Sequence, residues 1–354
     1  MNKKLLLGIL ALLSVTTACG SDNGDDGGSG EAKPEKLTLL AYDSFAPSEG
    51  IFDAFTKETG IAVEVVTGGD AGELVAKAVL TTGEPEGDVL WGVDNTLMSR
   101  AIAADVFVPH KSVHVDDLDP AALALVDDNL LTPVDTGDVC VNYDKTWFAD
   151  KGIAPPESLA DLIEPQYRGL LVVQNPNTSS PGLAFLLATI AQFGENSWQD
   201  FWSALRDNDV KIVDGWTEAY TVEFSGSSGK GGRPLVVSYA SSPPAEVVYS
   251  DPPVSEPPTG VIESTCFRQV EFAGVLRGTQ YPQAAGLLVD YLSGPEFQAD
   301  LPLTLFVNPA NTTVDLPQVF TDFAATPDAP LTMDPALIEE NRTAWLEAWR
   351  ASAL

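Results

Sequence analysis

Leu37-Thr38-Leu39-Leu40-Ala41-Tyr42-Asp43-Ser44 is an apolar run that stops abruptly in polar residues, the pattern of a buried strand running into a loop. Ile51 to Thr59 follows, with Ile51, Phe52 and Phe55 at helical spacing and Gly60 as the stop. The unit then recurs. Ile61 to Val66 reads as a strand, Gly68-Gly69-Asp70 as a turn, and Glu73 to Thr82 as a helix with Leu74, Ala78 and Leu80 inward. Asp88 to Gly92 is a third strand, delivering Asp94-Asn95 to a loop before a helix from Thr96 to Ala104. Strands alternating with helices predict an α/β architecture with a mainly parallel sheet covered on both faces. Ligands of such sheets sit beyond the carboxyl ends of the strands, where Tyr42, Asp43, Asp70, Asp94 and Asn95 fall.

Further along, Leu131 to Tyr143 is extended and reads as a crossing into a second lobe. Within that lobe the pattern gives a helix near Ser158 to Ile163, a strand at Leu170 to Gln174 and a helix from Pro181 to Phe193. Ser179-Ser180-Pro181 marks the helix start, with a hydroxyl cap and proline in the first turn. A helix at Trp198 to Leu205 and strands at Val210 to Val213 and Leu235 to Tyr239 come next. Ser225 to Pro234 and Pro243 to Pro258 are Gly-rich and Pro-rich, and read as surface loops. Arg268 to Leu276 alternates apolar and polar residues as a half-buried strand does, and is taken as the return crossing. Gln283 to Leu292, Pro295 to Leu301 and Asp334 to Ser352 are helical, the last with Ile338, Trp345 and Trp349 on one face.

The ends of the chain set the compartment. Lys3 and Lys4 followed by an apolar run from Leu5 to Val15 have the form of a secretory signal over residues 1–18. Small residues just ahead of Cys19 suit lipoprotein processing, which predicts a lipidated Cys19 and a membrane anchor. Residues 19–36 are rich in Gly, Ser and Asp and too poor in apolar surface to fold, so they read as a tether. The rest is longer than one core supports and favours two lobes, 37–133 with 268–354, and 134–267. Cys140 and Cys266 are the other cysteines of an exported chain, and their pairing in a disulfide is expected.

Chemistry is constrained by what the chain contains. Its 51 acidic residues outnumber 19 basic ones, for a net charge of −32, which disfavours nucleic acid and suits a cationic ligand or plain solubility. His110 and His114 are the two histidines and share one loop, so a Ser-His-Asp triad is poorly supported and no metal site or cofactor is expected. No Gly-Lys-Ser or Gly-Lys-Thr occurs, so any energy for transport comes from a partner ATPase. The polar loops instead gather rings and carboxylates: Tyr42-Asp43-Ser44, Asp70, Asp94-Asn95, Ser179, Trp216 to Tyr220, and Ser238-Tyr239. Rings and anions together suit a flat cation.

Ala41-Tyr42-Asp43-Ser44-Phe45, Gly92-Val93-Asp94-Asn95, Thr178 to Leu183, Gly215 to Tyr220, and Ser238 to Pro243 resemble, in order and spacing, the thiamine-binding proteins of bacterial ABC importers. The resemblance extends through Gln269-Val270-Glu271-Phe272-Ala273 to the Trp-containing final helix, nearly the whole chain after the tether. It implies a two-lobed type II periplasmic-binding-protein fold, a Venus flytrap, for an extracytoplasmic monomer that captures thiamine or its phosphate esters and is not an enzyme. It also implies a permease and an ATPase as partners. Position matching implicates Tyr42, Asp70, Ser179, Trp216 and Tyr239, while Ala245 and Leu305 stand where the family commonly sets a further ring, with Phe306 or Tyr249 as replacements. Polyamine, ferric iron and pyrimidine binders on the same scaffold are the alternatives, and a lipid-anchored hydrolase is a third.

Overall fold

The computed structural model describes residues 33–227 and 231–354. The leader, Cys19 and all but the end of the tether lie outside the described residues. Ten strands form one sheet: β1 (Lys36–Ala41), β2 (Ala62–Thr67), β3 (Val89–Asp94), β4 (Phe107–Val108), β5 (Thr132–Asp144), β6 (Leu171–Gln174), β7 (Lys211–Val213), β8 (Leu235–Tyr239), β9 (Thr259–Leu276) and β10 (Asn308–Pro309). The helices that cover it include α1 (Asp53–Thr59), α2 (Ala71–Leu80), α3 (Met98–Ala103), α4 (Pro120–Leu123), α5 (Lys145–Lys151), α6 (Ser180–Phe193) and α7 (Trp198–Asp207). They continue with α8 (Trp216–Glu218), α9 (Pro243–Val248), α10 (Pro282–Ser293), α11 (Pro295–Gln298), α12 (Leu301–Thr304), α13 (Gln318–Phe323) and α14 (Pro335–Ala353).

The strand order is β2-β1-β3-β9-β5-β8-β6-β7, with β4 also on β9 and β10 also on β5. Parallel pairing holds in the two wings, β1 with β2 and β3, and β6 with β7 and β8. There the strands alternate with helices, which forces a crossover between neighbours and hence parallel strands. The middle of the sheet is antiparallel, because the chain goes out along β5 and returns along β9. These long strands tie the wings together, and Cys140 on β5 is disulfide-bonded to Cys266 on β9.

One apolar core lies under β1 and β3 and includes Leu37, Leu39, Trp91 and Phe297. A larger one runs beneath α6 and α7 and contains Phe185, Trp202 and Trp349. The last helix, α14, joins this core by setting Trp349 edge-on to Trp202 at 5.7 Å. Its other end is held by Ser99 Oγ donating to Pro335 O at 2.9 Å. The Pro-rich stretch after Tyr239 departs from the expected loop: Pro243 and Pro244 open helix α9, since proline in a first helical turn forfeits no hydrogen bond.

Candidate ligand-binding site

The loops after β1, β2 and β8, the segment after α12, Glu271 within β9 and the starts of α6 and α8 converge on a cavity of about 690 Å³. Tyr42, Ser44, Asp70, Trp216, Tyr220, Tyr239 and Leu305 line it, as do Ala245, Tyr249 and Phe306. Asp43, Asp94, Asn95 and Ser179 lie outside the lining. Asp43 is exposed, and the other three are buried in the framework behind the wall. Asn95 Nδ2 donates to Arg268 O at 3.2 Å and Asn95 Oδ1 accepts from Val270 N at 2.9 Å. Ser179 caps α6.

Part of the lining is aromatic. Residues 216 and 220 are four apart, on one side of a short helix that runs from α8 into a π-helical turn at Ala219–Glu223. Their rings stack with centroids 5.0 Å apart and an interplanar angle of 13°. Tyr239 meets the Trp216 ring at 6.4 Å and 52°. The stack is oriented by polar contacts: Trp216 Nε1 donates to Ser238 Oγ at 2.9 Å, and Tyr220 OH donates to Glu246 Oε1 at 2.9 Å. Near the rim, Tyr249 and Phe306 stand edge to face at 5.6 Å and 70°. Phe306 adopts φ of 54°, and its carbonyl is held by Ser241 Oγ at 2.6 Å.

Carboxyls are interleaved with these rings. Asp70 accepts hydrogen bonds from three backbone amides, Ala71 N at 2.7 Å, Ser180 N at 3.1 Å and Trp216 N at 3.0 Å. One carboxylate thereby caps the starts of α2, α6 and α8, where helix dipoles favour negative charge. Gly72 lets these starts meet, because a Cβ there would overlap the Thr178 carbonyl. Burial pushes the Asp70 carboxyl up to about 6 despite these donors. Glu271 lies in the lining and accepts from Tyr42 OH at 3.0 Å. Burial, then the nearby Asp135 and Asp94 charges, hold the Glu271 carboxyl well above the usual range. Tyr42, Tyr220 and Tyr239 are likewise pushed well up, by burial first and by neighbouring carboxylates second, so their hydroxyls stay neutral donors.

Glu271, Glu246 and Ser180 belong to the lining without having been singled out from sequence. Glu271 is a polar position of an alternating strand and gives the signal of a solvent-facing residue. Glu246 falls in a stretch that reads as loop, and Ser180 carries only the signature of a helix start. His110 pairs with Asp290 at 2.9 Å, away from the cavity. Among the described residues no group of three or more His, Cys, Asp and Glu side chains is placed to hold a metal ion, and no helix is long and apolar enough to cross a membrane.

A cavity between two α/β wings, lined by aromatic rings and by carboxyls hydrogen-bonded among them, is a binding site for a small solute. Residues 87–322 match the family model of the bacterial extracellular solute-binding proteins, and the chain belongs to that family. It is a solute-binding protein of the extracytoplasmic space and not an enzyme. It is 29% identical over 324 residues to the thiamine-binding periplasmic protein of Brucella melitensis, covering 90% of this chain and 92% of that one. Among solved structures it is similar to a periplasmic thiamin binding protein, with a TM-score of 0.80 and 24% identity over 92% of this chain and 98% of that one. It is also similar to iron-bound HitA from Pseudomonas aeruginosa, with a TM-score of 0.72 and 20% identity over 91% of this chain and all of the other. These last two likenesses establish the type II periplasmic-binding-protein fold.

Proposed function

We propose that the solute is thiamine and that the chain delivers it to an ABC importer. The observation that carries this reading is the pairing within one cavity of the Trp216–Tyr220 stack with four carboxyl side chains, Asp70, Glu246, Asp251 and Glu271. Aromatic faces attract a thiazolium cation, and carboxylates accept the amino hydrogens of a pyrimidine. The name of the Brucella relative supports the same ligand. Four carboxyls in the lining repel a phosphate, which favours the unphosphorylated vitamin over its phosphate esters. Tyr42, Ser44, Asp70, Trp216, Tyr220, Tyr239 and Leu305 make up the contacting set in this reading, with Ser179 and Asp94-Asn95 supporting from behind.

The lobes are 37–133 with 268–354, and 134–267, and they close about β5 and β9. The protein works as a monomer tethered through a lipidated Cys19, and a permease and ATPase take the ligand from it. The intact mass of membrane-extracted protein reports the anchor. Titration calorimetry with thiamine and its monophosphate tests the ligand. Saturable 1:1 binding of thiamine, weaker for the monophosphate, is expected, and Trp216→Ala weakens it by about 2- to 30-fold, the range of one cation–π contact. No heat from thiamine with the folded wild-type chain refutes the assignment.

A further inference from the structure

Three carboxyls lie side by side across the middle of the sheet. Asp94 on β3 and Asp135 on β5 both pair in register with Glu271 on the intervening β9. The alignment arises from two irregularities: the register shifts between Trp91 and Val93 on β3, and between Pro133 and Asp135 on β5. Each shift turns the neighbouring Asp onto the face that Glu271 occupies. The exposures of Asp94, Asp135 and Glu271 are 0%, 1% and 5%. Three like charges so placed without a cation are strongly unfavourable.

Among the described residues the surroundings supply donors but no positive charge. Asp94 accepts from Ser180 Oγ, Gln269 Nε2 and Thr96, the last with its Oγ1 at 2.7 Å. From just past β1, Tyr42 donates to Glu271, and from β8 the neutral Tyr239 phenol faces the same carboxyls. Arg268, the nearest cation on β9, is turned to Asp138 on β5 in an ion pair. Asp135 is the exception: its Oδ2 is buried with no hydrogen-bond donor among the described residues, beside Glu271. Of the three, Glu271 alone reaches the cavity.

We infer that Glu271 is the specificity-determining anion that neutralises the ligand's positive charge, and that the Asp94–Glu271–Asp135 row holds a proton which it releases when the cation binds. In the ligand-free protein the proton sits between Glu271 and Asp135, giving Asp135 Oδ2 the donor it otherwise lacks. An arriving cation takes over the neutralising role, and the proton leaves to solvent. Asp94 and Asp135 are positioning residues that keep Glu271 protonated until then, so the site discriminates against neutral analogues of the same shape. The inference rests on the thiamine reading.

The test is titration calorimetry of the wild-type chain with thiamine in buffers of differing ionisation enthalpy, from about pH 6 to about pH 8. Up to one proton released per thiamine is expected, with Kd falling by as much as tenfold per pH unit, roughly the limit for one linked proton. Glu271→Gln removes the buffer dependence, flattens the pH profile and weakens binding by about tenfold or more. Thiamine binding to wild type with no buffer dependence and a flat profile overturns the inference and leaves the ligand assignment standing. An absence of thiamine binding overturns both. Asp70, the other deeply buried carboxyl of the lining, is pushed up only to about 6 and is ionised at pH 8, so wild-type proton release near pH 8 decides for the row by itself, and a Glu271→Gln chain that misfolds does not spoil the test.

Discussion

At the scale of single residues, the cavity depends on positions whose role is geometric as much as chemical. Gly92 sits at the β3 irregularity with φ of 96°, and a Cβ there would overlap the Tyr42 ring. Gly92→Ala therefore forces a left-handed backbone on alanine, at about 1–2 kcal/mol, and pushes Tyr42 away from Glu271. A fall in Tm of a few degrees, together with weaker thiamine binding, is expected from calorimetry, and an unchanged Kd contradicts the placement. Tyr42, Asp70, Trp216 and Tyr239 were legible in the sequence because each ends a strand or starts a helix on the rim side. Glu271 was not, because the sequence around it alternates as in a half-buried strand, whereas here both of its faces are covered: 267 and 269–276 are all buried. Periodicity reports which residues share a face, and it is silent on whether a second layer covers the other face.

At the scale of elements, the junction of α2, α6 and α8 is the joint most exposed to a single change. Asp70 serves three helix starts from different parts of the chain, and truncating it leaves buried amides with no acceptor. Asp70→Ala should cost about 3 kcal/mol or more, since a buried group left unsatisfied forfeits about 1–3 kcal/mol. Asp43→Ala, on an exposed loop residue, should stay within about 0.5 kcal/mol. Urea denaturation of the two variants measures the contrast, and equal stabilities rule out the capping role. The sequence marked Asp70 as a turn residue ahead of a helix, and Ser179-Ser180-Pro181 as another helix start. That both converge on one carboxylate follows from packing across the sheet, 110 residues apart in the chain. The helix at Pro243–Val248 was hidden by its prolines, which signal a loop and a first helical turn equally well.

At the scale of the whole molecule, stability should follow pH in the direction set by buried acids. Burial raises the carboxyls of Asp70, Asp94, Asp135 and Glu271 above their ordinary values. The folded chain then holds more protons than the unfolded one, so stability is fully present below the ordinary carboxyl range and is lost as pH rises through the folded values. For Asp70 this window runs from 3.8 to about 6 and is worth ~3 kcal/mol at ~1.4 kcal/mol per unit. The Tm of the ligand-free protein should be higher near pH 5 than near pH 8. The net charge of −32 works in the same direction, and measuring in about 0.5 M salt screens that contribution. A Tm that rises from pH 5 to pH 8 in salt contradicts the buried carboxyls. The sequence by itself determined the α/β class, the strands and most helices of both wings, and the ring and carboxylate chemistry of the rim, because periodicity, caps and residue type act locally. Tertiary structure alone decided that β5 and β9 unite the wings in one sheet, that Asp94, Glu271 and Asp135 form a row, and that Asp70 holds three helices together. Those features depend on strand register and on contacts between residues far apart in the chain, which local patterns do not encode.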